Sequence, residues 1–302
     1  MMQKKPRFSI LGLGATGTLW LQKLAAADCF VDIVGRLPQY PTTNFIALDG
    51  NQQSINLSDY KAAINAQIDT LLVCVKSYQL RDALTTIKPQ LSPTTQILLL
   101  QNGMGHEVVA RSILPQHAIF IGTLTHGVTR SENTIHHTGE GAVTLGPASA
   151  KANTTPPEFV AAMNNALPPV DWQANIEPSL WRKLAINAAI NPLTVLFQCK
   201  NGALIEQPEY RQRLDQLIDE MGPVLQVKIP ELAIEAVREM IHEVARNTAQ
   251  NTSSMLQDHL NGQPLELESI TGHLLSTAKQ LAIPLPTHRW LYEQLLNNHC
   301  AN

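Results

Sequence analysis

The stretch Gly12-Leu13-Gly14-Ala15-Thr16-Gly17 lies between an apolar run, Phe8 to Leu13, and a helical pattern, Thr18 to Ala27. A strand, a glycine-rich turn and a helix in this order form the G-x-G-x-x-G pattern of a dinucleotide-binding unit. The first glycine permits the tight turn, the second lets the backbone approach a pyrophosphate, and the third lets helix and strand pack closely. Because an ordinary turn can also hold three glycines, the placement between strand and helix carries the prediction that a cofactor pyrophosphate binds here.

The end of the second predicted strand distinguishes between the two nicotinamide cofactors. An NAD enzyme usually has an acidic residue there, about 20 residues after the glycine-rich turn, that binds the ribose hydroxyls. In this chain the run from Phe30 ends in Gly35 and Arg36. A guanidinium can pair with the extra phosphate of NADP, which a carboxylate would repel. We therefore predict NADP(H) as the cofactor and interpret Asp32 as an outward-facing strand residue.

Length and composition indicate a globular protein with room for two domains. The chain has 302 residues, of which 44% are hydrophobic and 16% are charged. These values are typical of folded rather than disordered chains. Its 22 basic and 25 acidic residues leave a net charge of −3, which provides no basic field for nucleic acid or for an anionic membrane. We therefore expect a small-molecule partner and neither a nucleic-acid nor a membrane partner.

Cysteine spacing and hydropathy predict a cytoplasmic protein. The four cysteines are Cys29, Cys74, Cys199 and Cys300. They are far apart and form no C-x-x-C pair, which favours free thiols over a zinc site or a disulfide framework. No stretch approaches the 18 or so uninterrupted apolar residues of a membrane span. The apolar run near the N-terminus resembles a secretory signal only superficially, because it contains the glycines of the turn.

The pattern divides the chain into an α/β part and a helical part. Short β-rich runs alternate with helical segments from residue 7 to about 148, which predicts a Rossmann-like fold with a mainly parallel sheet. Beyond Glu177 strand signals disappear and helical periodicity takes over. We expect an NADP-binding Rossmann-like domain over 1–169 and an all-α-helical substrate and catalytic domain over 170–302. The predicted strands are Phe8–Leu13, Val31–Gly35, Thr70–Val75, Ile97–Leu100, Ala118–Leu124 and Gly141–Leu145.

Two of the strand-like runs end in residues that suit a binding crevice. The run LLVCVK, residues 71–76, ends in Lys76, and ILLLQN, residues 97–102, ends in Asn102. Open α/β sheets bind ligands beyond the carboxyl ends of their strands. Lys76 could neutralise a cofactor phosphate or a substrate carboxylate, and Asn102 could form hydrogen bonds where cofactor and substrate meet. The ordinary alternatives are a solvated lysine and a turn-forming Asn-Gly pair.

A narrow polar stripe runs along an otherwise apolar helical segment, residues 179–199. Lys183, Asn187 and Asn191 are spaced i, i+4 and i+8, which places them on one helix face. An amphipathic surface helix would show a broader and more charged polar face, so a pocket lining is favoured. Hydride transfer to a ketone creates an alkoxide that needs a proton, and a partly desolvated lysine can supply it. Lys183 is therefore the predicted proton donor, with the asparagines as neutral substrate-binding amides.

Several motifs follow one another in the same order as in the sequences of a known enzyme family. Besides the glycine-rich turn, Arg36 and Lys76, they are QNGMG at 101–105, Thr125-His126-Gly127, SLWRKLAINAAINPLT at 179–194, Asn201-Gly202 and NTSSMLQD at 251–258. Over nearly its full length the chain resembles the ketopantoate reductases, also called 2-dehydropantoate 2-reductases. The resemblance implies NADPH-dependent reduction of 2-dehydropantoate to (R)-pantoate, a step in the biosynthesis of pantothenate and coenzyme A.

The resemblance also implies roles for individual residues. The implied cofactor-binding residues are Gly12, Leu13, Gly14, Ala15, Thr16, Gly17, Arg36, Lys76, Asn102, Val128 and Glu266. The implied substrate-binding residues are Asn102, Lys183, Asn187, Asn191, Asn201, Asn251 and Ser254. Lys183 would donate the proton, and Ser254 would reach the substrate carboxylate.

The chain departs from the family pattern around the expected acidic residue. Glu266 matches a glutamate that lies beside the cofactor and supports catalysis, but the sequence PLELESITG at 264–272 replaces a pattern close to T-E-I-D-x-I-N-G. Glu268 is the alternative, and a solvated glutamate in a polar loop is the ordinary interpretation. His106 and His126 are further acid–base candidates that we rank below Lys183, because His126 could simply satisfy backbone carbonyls.

Two other functions stay open on the sequence. A related NADP-dependent reductase of another branched 2-keto acid would share this architecture, because the pocket around Asn187, Asn201 and Ser254 decides the substrate. A non-catalytic NADP-sensing protein would keep the glycine-rich turn, but we would expect it to have lost the polar stripe. The sequence is compatible with a monomer and with a homodimer.

Overall fold

The computed structural model describes residues 5–36, 41–62 and 67–299, which form two compact units. The first unit comprises the described residues of 1–101 and 106–176, and the second those of 102–105 and 177–302. The predicted boundary after Pro169 precedes a short strand, Val170–Trp172, that pairs with the sheet of the first unit. The segment Asn102–Gly105 belongs to the second unit, where the Met104 amide donates to the Ser269 carbonyl at 2.9 Å.

The first unit contains a seven-stranded sheet and a second, four-stranded sheet. The strands are β1 (Arg7–Leu11), β2 (Phe30–Val34), β3 (Thr42–Ile46), β4 (Gln52–Asn56), β5 (Thr70–Val73), β6 (Gln96–Leu99), β7 (Ala118–Leu124), β8 (Gly127–Ser131), β9 (Thr134–Gly139), β10 (Val143–Pro147) and β11 (Val170–Trp172). The large sheet has the order β11-β10-β7-β6-β5-β1-β2. Its neighbouring strands are parallel except β7 and β10. The predicted α/β, Rossmann-like architecture is confirmed.

The large sheet forms where the sequence has continuous apolar runs. All four residues of β5 are buried, and Ile97, Leu98 and Leu99 of β6 are fully buried. Strands that are covered on both faces show such runs instead of alternation. Each predicted strand overlaps an observed one, with ends that differ by at most two residues.

The small sheet, in the order β4-β3-β9-β8, was not predicted from the sequence. Its strands are short, and most residues of β4 and β8 are exposed or half-buried. Only single apolar side chains, such as Phe45, Ile55 and Ile135, reach the core. A strand with one buried residue carries too weak an alternation to be recognised locally.

The described residues of the first unit also form four α-helices and three short 3₁₀ helices. The α-helices are α1 (Ala15–Ala26), α2 (Leu80–Ile87), α3 (His106–Ile113) and α4 (Glu158–Ala166). Helix α1 starts inside the glycine-rich turn, three residues before the predicted start at Thr18. Its Trp20, Leu21 and Leu24 are fully buried. These side chains pack helix α1 into the core of the first unit, directly after the glycine-rich turn.

The regular structure of the second unit consists of helices joined by loops, and its described residues contain no strand. Its helices are α5 (Glu177–Phe197), α6 (Ala203–Glu206), α7 (Pro208–Lys228), α8 (Ile234–Asn247), α9 (Ser254–Leu260), α10 (His273–Gln280) and α11 (Pro286–His299), and a π-helical turn spans Glu268–Gly272. Helix α5 packs against α7, α8 and α9 around buried residues such as Leu193, Leu217 and Ile241. In the described part of the chain, no helix has the length and apolarity needed to cross a membrane.

Candidate active site

The glycine-rich turn of the first unit has three glycines with three different surroundings. A Cβ atom on Gly17 would lie 1.9 Å from the Gly12 carbonyl oxygen, and one on Gly12 would lie 2.7 Å from the Val75 backbone nitrogen. Gly12 also has a φ of +102°, which side chains rarely adopt. A Cβ atom on Gly14 would meet no protein atom within 4 Å. The outer glycines therefore allow the turn to pack, whereas the space beside Gly14 is open.

A cavity of about 1000 Å³ opens at the carboxyl ends of β1 and β2 in this unit. The turn contributes Gly12 and Leu13, the end of β2 contributes Gly35 and Arg36, and strand β8 contributes Arg130. The rest of the lining consists of Leu11, Val75, Tyr78, Gln79, Asp82, Ala83, Thr86, Ile87 and Gln90. A volume at the upper end of the range of small-molecule sites suits part of a dinucleotide.

The predicted cofactor residues of the first unit lie unequally close to this cavity. Gly12, Leu13 and Arg36 line it. The others, which are not among its lining residues, are Gly14, Ala15, Thr16, Gly17, Lys76 and Val128. Lys76 precedes a 3₁₀ turn, Ser77–Gln79, and its backbone amide donates to the Gln79 side chain at 3.3 Å. Asp32 lies in β2 and pairs with Arg7 at 3.2 Å, as expected of an outward-facing strand residue.

Arg130 is a cavity residue that the sequence did not indicate. Its Nη1 donates to the Leu13 carbonyl at 3.0 Å, and its Nε donates to the Glu132 carbonyl at 3.1 Å. Leu13 and Arg130 are 117 residues apart. Arg130 lies in β8 of the small sheet and Leu13 in the turn after β1, so no local signal could have found this contact.

The second unit carries the polar stripe on α5. Lys183 and Asn187 are half-buried, and Asn191 is buried with 8% of its surface exposed. Burial lowers the pKa of Lys183 from an ordinary 10.5 to about 8, while the negative charge of Glu266 opposes this shift. Lys183 is therefore a cation at neutral pH that releases its proton more readily than a surface lysine.

Glu266 and Glu268 have different surroundings in this unit. Glu266 is buried, with 6% of its surface exposed, and its charge acts on Lys183. Glu268 is exposed and accepts a hydrogen bond from the Tyr292 hydroxyl. Burial and this contact raise the pKa of Tyr292 to about 12. Of the two glutamates, Glu266 is the one whose charge influences the predicted proton donor.

Comparison with known proteins assigns the chain to a family. Residues 8–150 match the family described as "Ketopantoate reductase PanE/ApbA", and residues 175–298 match "Ketopantoate reductase PanE/ApbA C terminal". The 2-dehydropantoate 2-reductase of Yersinia pestis is 36% identical over 288 residues, which cover 95% of this chain and 93% of that protein. The chain belongs to the ketopantoate reductase family. Ketopantoate reductases are oxidoreductases that use NADPH.

Solved structures show the same architecture. The probable 2-dehydropantoate 2-reductase from Bacillus subtilis is 28% identical, with a TM-score of 0.79 over 96% of this chain and 99% of that chain. D-mandelate dehydrogenase, solved with NADH and anilino(oxo)acetate, has a TM-score of 0.88 at 20% identity, over 98% of each chain. The second likeness concerns the fold alone. The ketopantoate reductase fold therefore recurs in a structure that was solved with NADH.

The residues that family resemblance assigns to the substrate are not equally open to a ligand. Asn187 has no hydrogen-bond partner within the described ranges and is half-buried. Asn201 is 7% exposed, and its Nδ2 donates to the Thr248 hydroxyl at 2.9 Å. Asn251 is exposed, and its backbone carbonyl accepts from the Asn201 amide. The Asn201 side chain thus already contributes to the fold of the second unit.

Asn102 lies in a segment whose backbone is fixed by the π-helical turn. The Ser269 hydroxyl donates to the Asn102 carbonyl at 3.3 Å. Gly103 has a φ of +90°, and a Cβ atom there would lie 2.4 Å from the Ser269 carbonyl oxygen. Glycine is therefore required immediately after Asn102. The QNGMG motif and the π-helical turn, which are far apart in the sequence, therefore pack directly against each other.

Ser253 and Ser254, the two serines of the NTSSMLQD motif, have different surroundings. Ser254 is exposed in the first turn of α9. Ser253 is buried, accepts from the Leu256 amide at 3.1 Å as the N-cap of α9, and lies 2.6 Å from the Thr194 hydroxyl. An N-cap serine satisfies an otherwise unpaired amide of the first helical turn. Ser253 therefore fixes α9 to α5, and Ser254 is the serine that a ligand can reach.

The histidine candidates His106 and His126 are buried, and the described cysteines form no disulfide. His126 Nδ1 lies 3.1 Å from His137 Nε2, so this nitrogen has an imidazole as its partner. Burial lowers the pKa of both rings, that of His137 to about 4. His106 is buried at the start of α3. The described cysteines Cys29, Cys74 and Cys199 are free thiols, and Cys300 lies outside the described residues.

Proposed function

We propose that this chain reduces 2-dehydropantoate to (R)-pantoate with NADPH, as part of pantothenate and coenzyme A biosynthesis. The observation that carries the proposal is the Lys183 side chain on α5, whose pKa burial lowers to about 8 and whose charge is supported by Glu266. A general acid is most effective when its pKa is close to the working pH. Family membership supplies the substrate, because the curated relatives are 2-dehydropantoate 2-reductases.

Lys183 is the proton donor in this proposal. When bound, NADPH supplies the hydride to the ketone carbon of the substrate. The Nζ of Lys183 transfers one proton to the carbonyl oxygen as negative charge develops there, so that a ketone, a hydride and a proton give an alcohol. The transfer leaves a neutral amine, which burial tolerates better than the ammonium. Solvent returns the proton before the next turnover.

The cavity of the first unit fits the proposed cofactor. Its turn leaves open space beside Gly14, where the backbone can approach a pyrophosphate. Arg36 at the end of β2 is exposed, lines the cavity and forms no ion pair with a carboxylate of the described residues. An arginine at this position suits the extra phosphate of NADP. Lys76, Val128 and the remaining residues of the turn are proposed contacts along the same cofactor.

The substrate is proposed to bind along the α5 stripe. The Asn187 amide is half-buried and has no partner in the described part of the chain, so it can bind a hydroxyl or carboxylate oxygen. Ser254 is proposed to reach the carboxylate, with Asn102, Asn191, Asn201 and Asn251 as further polar contacts. A cytoplasmic location and a monomeric or homodimeric state complete the proposal. The ketopantoate reductase of Staphylococcus aureus is described as dimeric.

NADPH oxidation by the purified protein tests the proposed reaction. We expect the absorbance of NADPH to fall when 2-dehydropantoate is added, with a kcat/KM at least tenfold above that with NADH, because one charge-assisted phosphate contact is worth about that factor. The product should be identified as (R)-pantoate by chiral chromatography. Equal use of both cofactors would contradict the assignment of Arg36 to the extra phosphate.

A panel of 2-keto acids tests the substrate. The fold is shared with a structure named D-mandelate dehydrogenase, and one fold can serve several substrates, so the fold alone does not specify the acid. We expect 2-dehydropantoate to have the highest kcat/KM among branched and aromatic 2-keto acids. A preference for another acid would indicate the related reductase, and tight NADPH binding without turnover on any acid would indicate the sensing protein.

A further inference from the structure

Arg130 is the only cavity residue of the first unit that also holds the glycine-rich turn through a side-chain hydrogen bond, within the described ranges. Its Nη1 donates to the Leu13 carbonyl, and its Nε donates to the Glu132 carbonyl. Carbonyl and amide of a trans peptide point in opposite directions. The bond to Leu13 therefore sets the orientation of the whole Leu13–Gly14 peptide plane, beside the open space at Gly14.

Most of the donor capacity of Arg130 is unused. A guanidinium carries five N–H groups, and the two contacts use one on Nη1 and one on Nε. The other N–H groups have no acceptor among the described residues, and no described carboxylate forms an ion pair with Arg130 or Arg36. Asp82 lines the same cavity without pairing with either arginine. Two uncompensated guanidinium groups make the cavity a site for an anionic ligand.

The two arginines approach the cavity from different sides. Arg36 follows β2, where the ribose of a dinucleotide and its 2′ substituent are bound. Arg130 reaches the turn at Leu13, where a pyrophosphate is bound. Their positions therefore suit the two residues to different phosphates of a dinucleotide.

We propose that Arg130 binds the cofactor pyrophosphate with its free N–H groups while it holds the Leu13 carbonyl. The inference rests on the proposed function, since it requires a nicotinamide dinucleotide in this cavity. Arg130 then contributes equally to NADPH and NADH, because both contain the pyrophosphate. Arg36 contributes to NADPH alone, because only NADPH has the 2′-phosphate.

Binding measurements without substrate test this assignment. The dissociation constants of NADPH and NADH are measured by fluorescence titration for the wild type, Arg130→Gln and Arg36→Gln. We expect Arg130→Gln to weaken both nucleotides by a similar factor of about tenfold or more, and Arg36→Gln to weaken NADPH alone. The control is Arg289→Gln, an exposed arginine on α11 of the second unit, which should change neither constant.

The salt dependence of nucleotide binding distinguishes two effects of Arg130→Gln: loss of a phosphate contact and loss of the hydrogen bond to the Leu13 carbonyl. A charge contact to phosphate is screened by ions, so NADH affinity should fall less steeply with salt in Arg130→Gln than in the wild type. Arg130→Lys keeps the charge and should recover part of the affinity. An unchanged salt dependence, or a loss confined to NADPH, would overturn the inference. A wild type that binds neither nucleotide would overturn the proposed function itself.

Discussion

The glycine-rich turn of the first unit and the α5 stripe of the second unit are built by opposite means. The turn is shaped by the absence of side chains at Gly12 and Gly17 and by a backbone carbonyl that Arg130 holds. The stripe consists of side chains on a buried helix, and its key property is the lowered pKa of Lys183. Because one region is shaped by backbone and the other by side chains on a helix, we expect a variant of one region to leave the proposed role of the other intact.

Replacement of Lys183 by Ala should give the largest effect on turnover. Loss of a general acid lowers kcat by about 10²- to 10⁴-fold. The dissociation constant of NADPH should stay within about twofold of the wild type, because the cavity of the turn is untouched. Stopped-flow and steady-state kinetics give kcat, and fluorescence titration gives the dissociation constant. The control is Lys200→Ala, an exposed lysine that contacts Gln250. Near-normal turnover of Lys183→Ala would remove this lysine from its proposed role.

Gly17→Ala and Gly14→Ala test the glycine-rich turn of the first unit. The new Cβ at position 17 would lie 1.9 Å from a backbone oxygen, so the turn or helix α1 must shift. Such overpacking costs about 1–3 kcal/mol of the free energy of unfolding. At position 14 no protein atom is near, and the loss should stay within about 0.5 kcal/mol. Urea unfolding measures both values.

Nucleotide binding by the same pair completes this test. Gly14→Ala should fold normally and yet bind NADPH more weakly, because the methyl group occupies space proposed for the pyrophosphate. If Gly14→Ala bound NADPH as tightly as the wild type, the open space at this glycine would not be where the cofactor lies.

The large sheet could be predicted from sequence and the small sheet could not, for a physical reason. Buried strands such as β5 and β6 can be recognised in the sequence by their continuous apolar runs. Strand β4 has one buried residue, Ile55, and depends on its partner β3 for the rest of its stability. The pairing with β3 therefore determines that this segment is a strand, and the local sequence pattern holds no information about that pairing. Arg130 was likewise not predictable, because it lies in β8 of that small sheet and its contact with Leu13 joins residues 117 positions apart.

The candidate catalytic stripe was predictable, and its acidic neighbour was not. Lys183, Asn187 and Asn191 all lie within α5, as their spacing predicts. The choice between Glu266 and Glu268 depends on which carboxylate is near Lys183, and two residues along a turn point in different directions. Periodicity finds residues of one helix, whereas distances between elements come only from the fold.

Glu220→Gln tests how far the second region depends on side-chain contacts for its shape. Glu220 on α7 accepts hydrogen bonds from the Thr287 and His288 amides at the start of α11, and His288 Nδ1 lies 3.3 Å away. Loss of the charge should cost about 1–2 kcal/mol of the free energy of unfolding at pH 7. The Gly14→Ala variant of the first unit is the comparison, since it should lose less.

The pH dependence of this loss has a defined sign. Burial raises the pKa of Glu220, but hydrogen bonds from His288 and Thr287 outweigh it and lower the pKa to about 2. A carboxyl whose pKa is lower in the folded state stabilises the protein above its unfolded pKa, and this stabilisation is lost as the pH falls towards 2. The difference in stability between wild type and Glu220→Gln should therefore shrink between about pH 4.5 and pH 2. A constant difference across that range would contradict the assigned role.

We expect Glu266→Gln to have the smallest effect on turnover, because it alters the surroundings of Lys183 on α5 without removing this proposed proton donor. Lys183 must be protonated to act, so kcat/KM should fall as the pH rises through about 8. The Glu266 charge raises the Lys183 pKa, and its loss should move this decline to lower pH, with a several-fold lower kcat/KM at pH 8. Glu268→Gln is the matched control and should leave the profile in place, because its carboxylate binds Tyr292. If the two variants had interchanged profiles, Glu268 would be the functional acid. Only a shift of the profile with Glu266→Gln, at unchanged NADPH affinity, would show that this carboxylate acts through the lysine rather than through the bound cofactor.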